Sequence, residues 1–279
     1  MSTSIDQVFV KMFETEVHEA YQREGSMLRN FVRLKTGVVG VSTHFPKVGR
    51  GVATTKSRHG LITPANIDHT RVEVTLTDLY HSDWVDKLDE MKINFDERGV
   101  LVRAGAWALG RALDDQIFAA LDSTSEPIKP LTVTTSTTVR NSMLNIITAL
   151  RENDVRRDTF VVLTENAWAA ALTVKEFASA DYVTDRPFDT GATIKNWNNA
   201  LWMSHNGCPG AGTATAKGFA WTRSAVGVAE GQGVTTDITW HGDRAAHFVA
   251  NSMSTGAGLI DTTGVIEISI DDTAALPTA

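Results

Sequence analysis

Cysteine is nearly absent: Cys208 is the single one in 279 residues. No disulfide can staple this chain, which fits synthesis in a reducing cytoplasm. Long hydrophobic runs are missing as well. The longest apolar stretch, around Trp168 to Val174, is far too short to span a bilayer. Asp6 and Lys11 stand where a secretory signal needs an apolar core, so the expectation is a chain neither exported by a classical signal nor embedded in a membrane. Net positive charge is lacking too. The formal charge is −7 and the pI about 5.6, so no overall basic field draws the chain to nucleic acid. Any such contact would be local and non-specific.

What is present is an ordinary globular composition, 42% apolar and 21% charged. A chain of this length buries most of the surface its unfolded form exposes. Positions 4–24 read as an amphipathic helix. Ser4 and Gln7 make a capping box. Ile5, Phe9, Met12, Phe13 and Ala20 fall on one stripe, and Gly25 is the stop.

Charge is then sorted into blocks. Not one Asp or Glu occurs from Gly25 to Ile67, while Arg29, Arg33, Lys35, Lys47, Arg50, Lys56 and Arg58 are all basic. Alternation at Val39, Val41, Thr43 and Phe45, followed by Gly49-Arg50-Gly51, predicts a glycine-rich β-hairpin turning there. It holds too few large apolar residues to be stable alone. The next segment is its electrostatic opposite: Glu73, Asp78, Asp83, Asp86, Asp89, Glu90, Asp96 and Glu97 face only Lys87 and Lys92. Val72, Val74 and Leu76 within it alternate as a half-buried strand. The basic hairpin either folds onto the acidic segment of its own chain or lies across that of a neighbour, and solvated charge blocks are an equal reading.

Asn94 and Glu97 signal the start of a helix running to about Asp122, roughly 40 Å long. Val102, Ala106, Leu109, Leu113, Ile117 and Leu121 form its apolar stripe, with Trp107 and Phe118 on a second flank. A Thr/Ser-rich link over 132–138 leads to a helix marked by Met143, Ile146, Ile147 and Leu150 and ending near Asn153. Phe160 to Leu163 is a buried strand, and Thr164 caps the helix carrying Trp168. This is an α+β subdomain. From Lys217 onward short strands are expected, ending with Ile266, Ile268 and Ile270 alternating against Glu267 and Ser269.

No chemistry-bearing motif stands out. Gly210 to Lys217 resembles a phosphate loop only loosely, with Ala216 and Gly218 where Gly and Ser or Thr are needed; a mobile loop is the better reading. His241, Asp243 and His247 lack a ligand set at established spacing. His18-Glu19 has no second histidine at zinc-protease spacing. No nucleophile elbow occurs, and Cys208, before Pro209, reads as an inert thiol. The basic hairpin has only Phe31 and Phe45 for base stacking, so a protein partner is favoured over single-stranded nucleic acid. No catalytic residue, cofactor or metal is implied.

The order of segments carries more. Arm, basic hairpin, acidic strand, long helix, α+β subdomain and returning strands together resemble the major capsid protein of tailed bacteriophages, the Hong Kong 97-like fold. DLYHSDWVDKLDEMKINFDERGVLVRAGAWALGRALDDQIFAALD is similar to that family's approach to its spine helix. NSMLNIITALRENDV followed by RRDTFVVLTENAWAAAL is similar to the opening of its axial domain. The resemblance implies an amino-terminal arm over 1–34 and an extended loop over 35–70. It implies a peripheral domain from 71–131 and 240–279, and an axial domain over 132–239.

It further implies self-assembly into hexamers and pentamers of an icosahedral virion shell enclosing the genome, assembled in the host cytoplasm. A separate scaffolding protein and a portal are the expected partners, a decoration protein is a further candidate, and DNA contact is non-specific. In that family the loop lies over an adjacent subunit. Lys47, Arg50, Lys56 and Arg58 are therefore placed against Asp83, Asp86, Asp89 and Glu90 of a neighbour, with Phe9, Phe13 and Trp84 as apolar contacts. Some members form an isopeptide cross-link, for which Lys47 or Lys56 with Asn251 is the candidate pair. The rival readings are an encapsulin-like protein compartment and a soluble α+β enzyme.

Overall fold

A computed structural model describes residues 24–90, 96–124, 128–178 and 193–277. The helix expected over 4–24, with Phe9 and Phe13, falls outside these but for Glu24. So does the predicted start residue Asn94.

The first strands among the described residues are β1 (Arg33–Thr36), β2 (Ser42–Val48), β3 (His69–Thr75) and β4 (Thr77–Asp86). The short helix α1 (Lys87–Glu90) and the 26-residue α2 (Glu97–Asp122) follow. Next come β5 (Lys129–Leu131), α3 (Ser136–Glu152), β6 (Thr159–Leu163), α4 (Glu165–Leu172) and α5 (Lys175–Ala178). The last part holds β7 (Ile194–Trp197), β8 (Ala200–Ser204), β9 (Ala216–Thr222), β10 (Val226–His241), β11 (Ala246–Leu259) and β12 (Val265–Ile270). Two compact units result. One comprises Met1–Ser26, Asp78–Ala112 and Gln232–Ser254, the other Met27–Thr77, Leu113–Gly231 and Thr255–Ala279.

The larger unit is built on a six-stranded mixed sheet in the order β5-β12-β9-β6-β8-β7. Strand β6, TFVVL, is buried at every position, because it lies inside the sheet between β9 and β8 and carries no polar face. Helix α3 packs Met143, Ile146, Ile147 and Leu150 onto this sheet beside Trp168, Trp202, Ile266 and Ile268. The threonines of the supposed link are its start signal. The Thr135 side chain accepts from Thr138 N while the Thr138 hydroxyl accepts from Thr135 N, closing a capping box. Thr164 caps α4 as expected, accepting from Ala167 N at 3.3 Å.

Two expectations about the carboxy-terminal strands are corrected here. Strand β12 pairs antiparallel with β9 and parallel with β5, and its apolar residues complete the larger core. Glu267 is buried rather than facing water, 3.4 Å from Lys217 Nζ on the neighbouring strand. The strands beyond Lys217 are not uniformly short, since β10 has 16 residues and β11 14.

The Gly210 loop is tied down rather than mobile. Gly212 N donates to Asp272 Oδ2 at 2.6 Å, and Asp272 N donates to Thr213 O at 3.0 Å.

The smaller unit takes in β4, α1, the Glu97–Ala112 part of α2 and the far parts of β10 and β11. Asp96 starts α2: its carboxylate accepts from Gly99 N at 3.2 Å. Within the larger unit the helix stripe continues through Leu113, Ile117 and Leu121, all buried, with Phe118 beside them.

Candidate assembly surface

The basic hairpin exists, but its turn is not at Gly49-Arg50-Gly51. Strand β2 pairs antiparallel with β3, in a register running from Ser42 opposite Thr75 to Val48 opposite His69. The acidic alternating strand around Val72 and Val74 is therefore the hairpin's own second arm. Sequence spacing missed this because some twenty residues, 49–68, separate the two arms where a tight turn needs two to five.

The root of the hairpin is anchored by apolar contact. Phe45 and Val74 are buried with Ala229 and Ile260. Phe45 leans so close to β10 that a Cβ at Gly227 would lie 2.9 Å from its Cζ. Arg33 and Lys35 lie over the same ring, at 5.4 and 6.0 Å from its centroid. Lys35 Nζ also donates to Thr43 Oγ1 at 2.6 Å.

Charge ties the root as well. Lys47 Nζ donates to Asp261 Oδ1 at 2.8 Å, and Arg50 lies 2.9 Å from Asp154 Oδ2. These four residues line a cleft of about 560 Å³. Partial burial alone would raise the Asp261 carboxyl; the bonds from Lys47 and from the Thr263 hydroxyl and N–H outweigh it and hold the group below the usual carboxylate range. Lys47 and Arg50, expected opposite Asp83, Asp86, Asp89 and Glu90, thus each have a carboxylate partner within their own unit.

Beyond the root the loop is unsupported. Residues 51–59 and 61–68 are all exposed and hold no strand or helix. They include Lys56 and Arg58, together with Val52 at 72%, Leu61 at 93% and Ile62 at 75% exposure.

In the smaller unit the acidic segment is organised around Trp84. Its ring lies 4.6 Å from Phe248 and 5.0 Å from His241, with the Arg244 guanidinium 4.6 Å above it. Trp240 is flanked by His247 at 4.9 Å and by Lys87 at 5.7 Å. His241 thus meets Trp84 edge-on, and His247 lies tilted against Trp240. Among the described residues no group of three or more His, Cys, Asp and Glu is placed to hold a metal ion, and no helix is long and apolar enough to cross a membrane.

Asp83 accepts from Trp84 N, and Asp86 from Leu88 N, each at 2.7 Å. Glu90 is paired with Arg98 at 2.6 Å. Glu97 is pushed above the usual carboxylate range, first by burial and then by Asp89, Asp83 and Glu90. Anionic crowding at this surface thus remains after local pairing. Asn251, the candidate cross-link acceptor, is fully enclosed, with Thr236 Oγ1 donating to its Oδ1 at 2.5 Å. An arriving lysine meets no exposed atom of it.

The family model described as phage capsid protein matches residues 5–272. Among solved structures, the capsid of Cyanophage P-SCSP1u is similar at a TM-score of 0.75 and 17% identity, covering 98% of this chain and 96% of that one. A structure from Mycobacterium phage Che8 gives 0.73 and 19%, covering 94% and 97%. The capsid of Ralstonia phage GP4 gives 0.70 and 15% over 100% of both. No curated protein sequence matches the chain.

Proposed function

The chain belongs to the phage capsid protein family, and from that premise we propose that its copies close into hexamers and pentamers of an icosahedral shell around the genome. One observation carries the mechanism. The hairpin has a buried, ion-paired root and a long exposed tip bearing both cations and large apolar side chains. Such a tip cannot satisfy its apolar surface in water. The occupied seat is the Trp84 segment of a neighbouring copy, whose crowded carboxylates complement Lys56 and Arg58.

Identical heterologous contacts repeated around a ring close it, and arm and hairpin supply area in the range of obligate interfaces. The six-stranded sheet with α3 and α4 serves as the axial domain, and the smaller unit as the peripheral one. A scaffolding protein and portal complete assembly in the host cytoplasm, a decoration protein is a further candidate partner, and DNA contact is non-specific. The role is structural, without turnover.

Negative-stain microscopy of the expressed chain tests the reading. Closed particles are expected from wild type and their loss from the Lys56→Glu, Arg58→Glu double variant. Normal particles from that variant would remove the hairpin from the mechanism.

A further inference from the structure

A buried carboxylate, an imidazole and a backbone amide form a relay that shell building does not use. Asp114 and His205 are both fully enclosed. His205 Nε2 lies 3.2 Å from Asp114 Oδ2, and the same carboxylate accepts from Met27 N at 3.0 Å and Leu28 N at 3.2 Å. On the other side of the ring, Gly207 N donates to His205 Nδ1 at 3.0 Å. Nδ1 is thus the nitrogen that accepts from the Gly207 N–H, while Nε2 faces the Asp114 carboxylate. The residue between them is Asn206, which is exposed. Asn206-Gly207 is the only Asn-Gly pair in the sequence, and glycine has no side chain to hinder attack by its nitrogen.

We propose that Asn206 is a self-modification site, converted through a cyclic imide to isoaspartate or aspartate with His205 as the general base and Asp114 as its positioning residue. Nδ1 takes the proton of the Gly207 amide, and that nitrogen bonds to Asn206 Cγ. The carboxamide C–N bond breaks, and ammonia leaves with the proton returned by His205. Water then opens the five-membered imide at either carbonyl. The sequence is redox-neutral and needs no reagent but water. Proton removal lies in the peptide plane while nitrogen attacks perpendicular to it, so base and electrophile do not compete for one direction. Each event adds one carboxylate to the subunit. The proposal does not depend on the shell reading.

The test ages the folded chain and the same chain held unfolded in guanidinium, at one neutral pH and temperature, with peptide mapping by mass spectrometry for loss of the Asn206 amide. The folded chain is expected to react on the order of 100-fold faster, the low end of what a positioned general base contributes. A folded rate equal to or below the unfolded one overturns the proposal. His205→Gln keeps a group able to bond Gly207 and Asp114 but unable to take a proton, and is expected to lose the acceleration; retention of it overturns the base assignment. If that variant does not fold, the comparison of folded with unfolded wild type decides alone.

Discussion

Lys47 and Asp261, 214 positions apart, meet at 2.8 Å and tie the hairpin root to the segment just before β12. Because the Asp261 carboxyl is held below its ordinary range, its contribution to stability is fully present above the unfolded carboxylate pKa of about 3.9. It is lost as pH falls through the depressed folded value. Lys47→Met should therefore flatten the acid limb of the stability curve, measured by thermal unfolding from neutral to acid pH. Both side chains are about a third exposed, so the loss at neutral pH should stay below about 1 kcal/mol and shrink with added salt.

Phe45→Ala should cost far more than any of the surface ion pairs. It removes the ring that fills the space over Gly227, and truncation of a buried phenylalanine costs about 3–5 kcal/mol. Denaturant unfolding measures it. The same variant should fail to form particles at temperatures where the chain remains folded.

Glu97→Gln should stabilise the isolated chain at neutral pH. The carboxyl is raised, so its ionised form is disfavoured in the folded state; the penalty is present above the raised pKa and disappears as pH falls below the unfolded one. The residue is only partly buried, which limits the gain to about 0.5 kcal/mol even though an acid at a helix start is otherwise favourable. Equal stability of both forms across pH 4–8 (about the carboxylate and neutral range) would contradict the crowding argument.

Asp114→Ala should be the most damaging single polar change, since each buried donor left without an acceptor costs about 1–3 kcal/mol. It strips partners from His205 Nε2 and from the Met27 and Leu28 amides at once. Backbone hydrogen exchange at Met27 and Leu28 should rise before global unfolding does.

Trp84→Ala should reduce the particle yield of chains that remain folded, since the ring, packed on Phe248, His241 and Arg244, is still partly exposed beside the buried Val85. Normal yield would exclude the Trp84 segment as the seat of the hairpin tip.

Local pattern was enough for α2, α3 and β6, and for the Thr164 cap: each is set by residues a few positions apart, whose periodicity and capping chemistry are visible in one dimension. The segregation of charge into a basic and an acidic block was equally plain, and with the order of segments it pointed to the capsid fold. What residue order could not determine was the partner of each surface. That β3 rather than a tight turn closes the hairpin, that Lys47 finds Asp261 and that β12 joins β9 all depend on chain reversals spanning tens to hundreds of residues. The Asp114–His205–Gly207 relay depends on them as well. Such pairings are selected by burial of the whole core, and only the folded chain brings their members together.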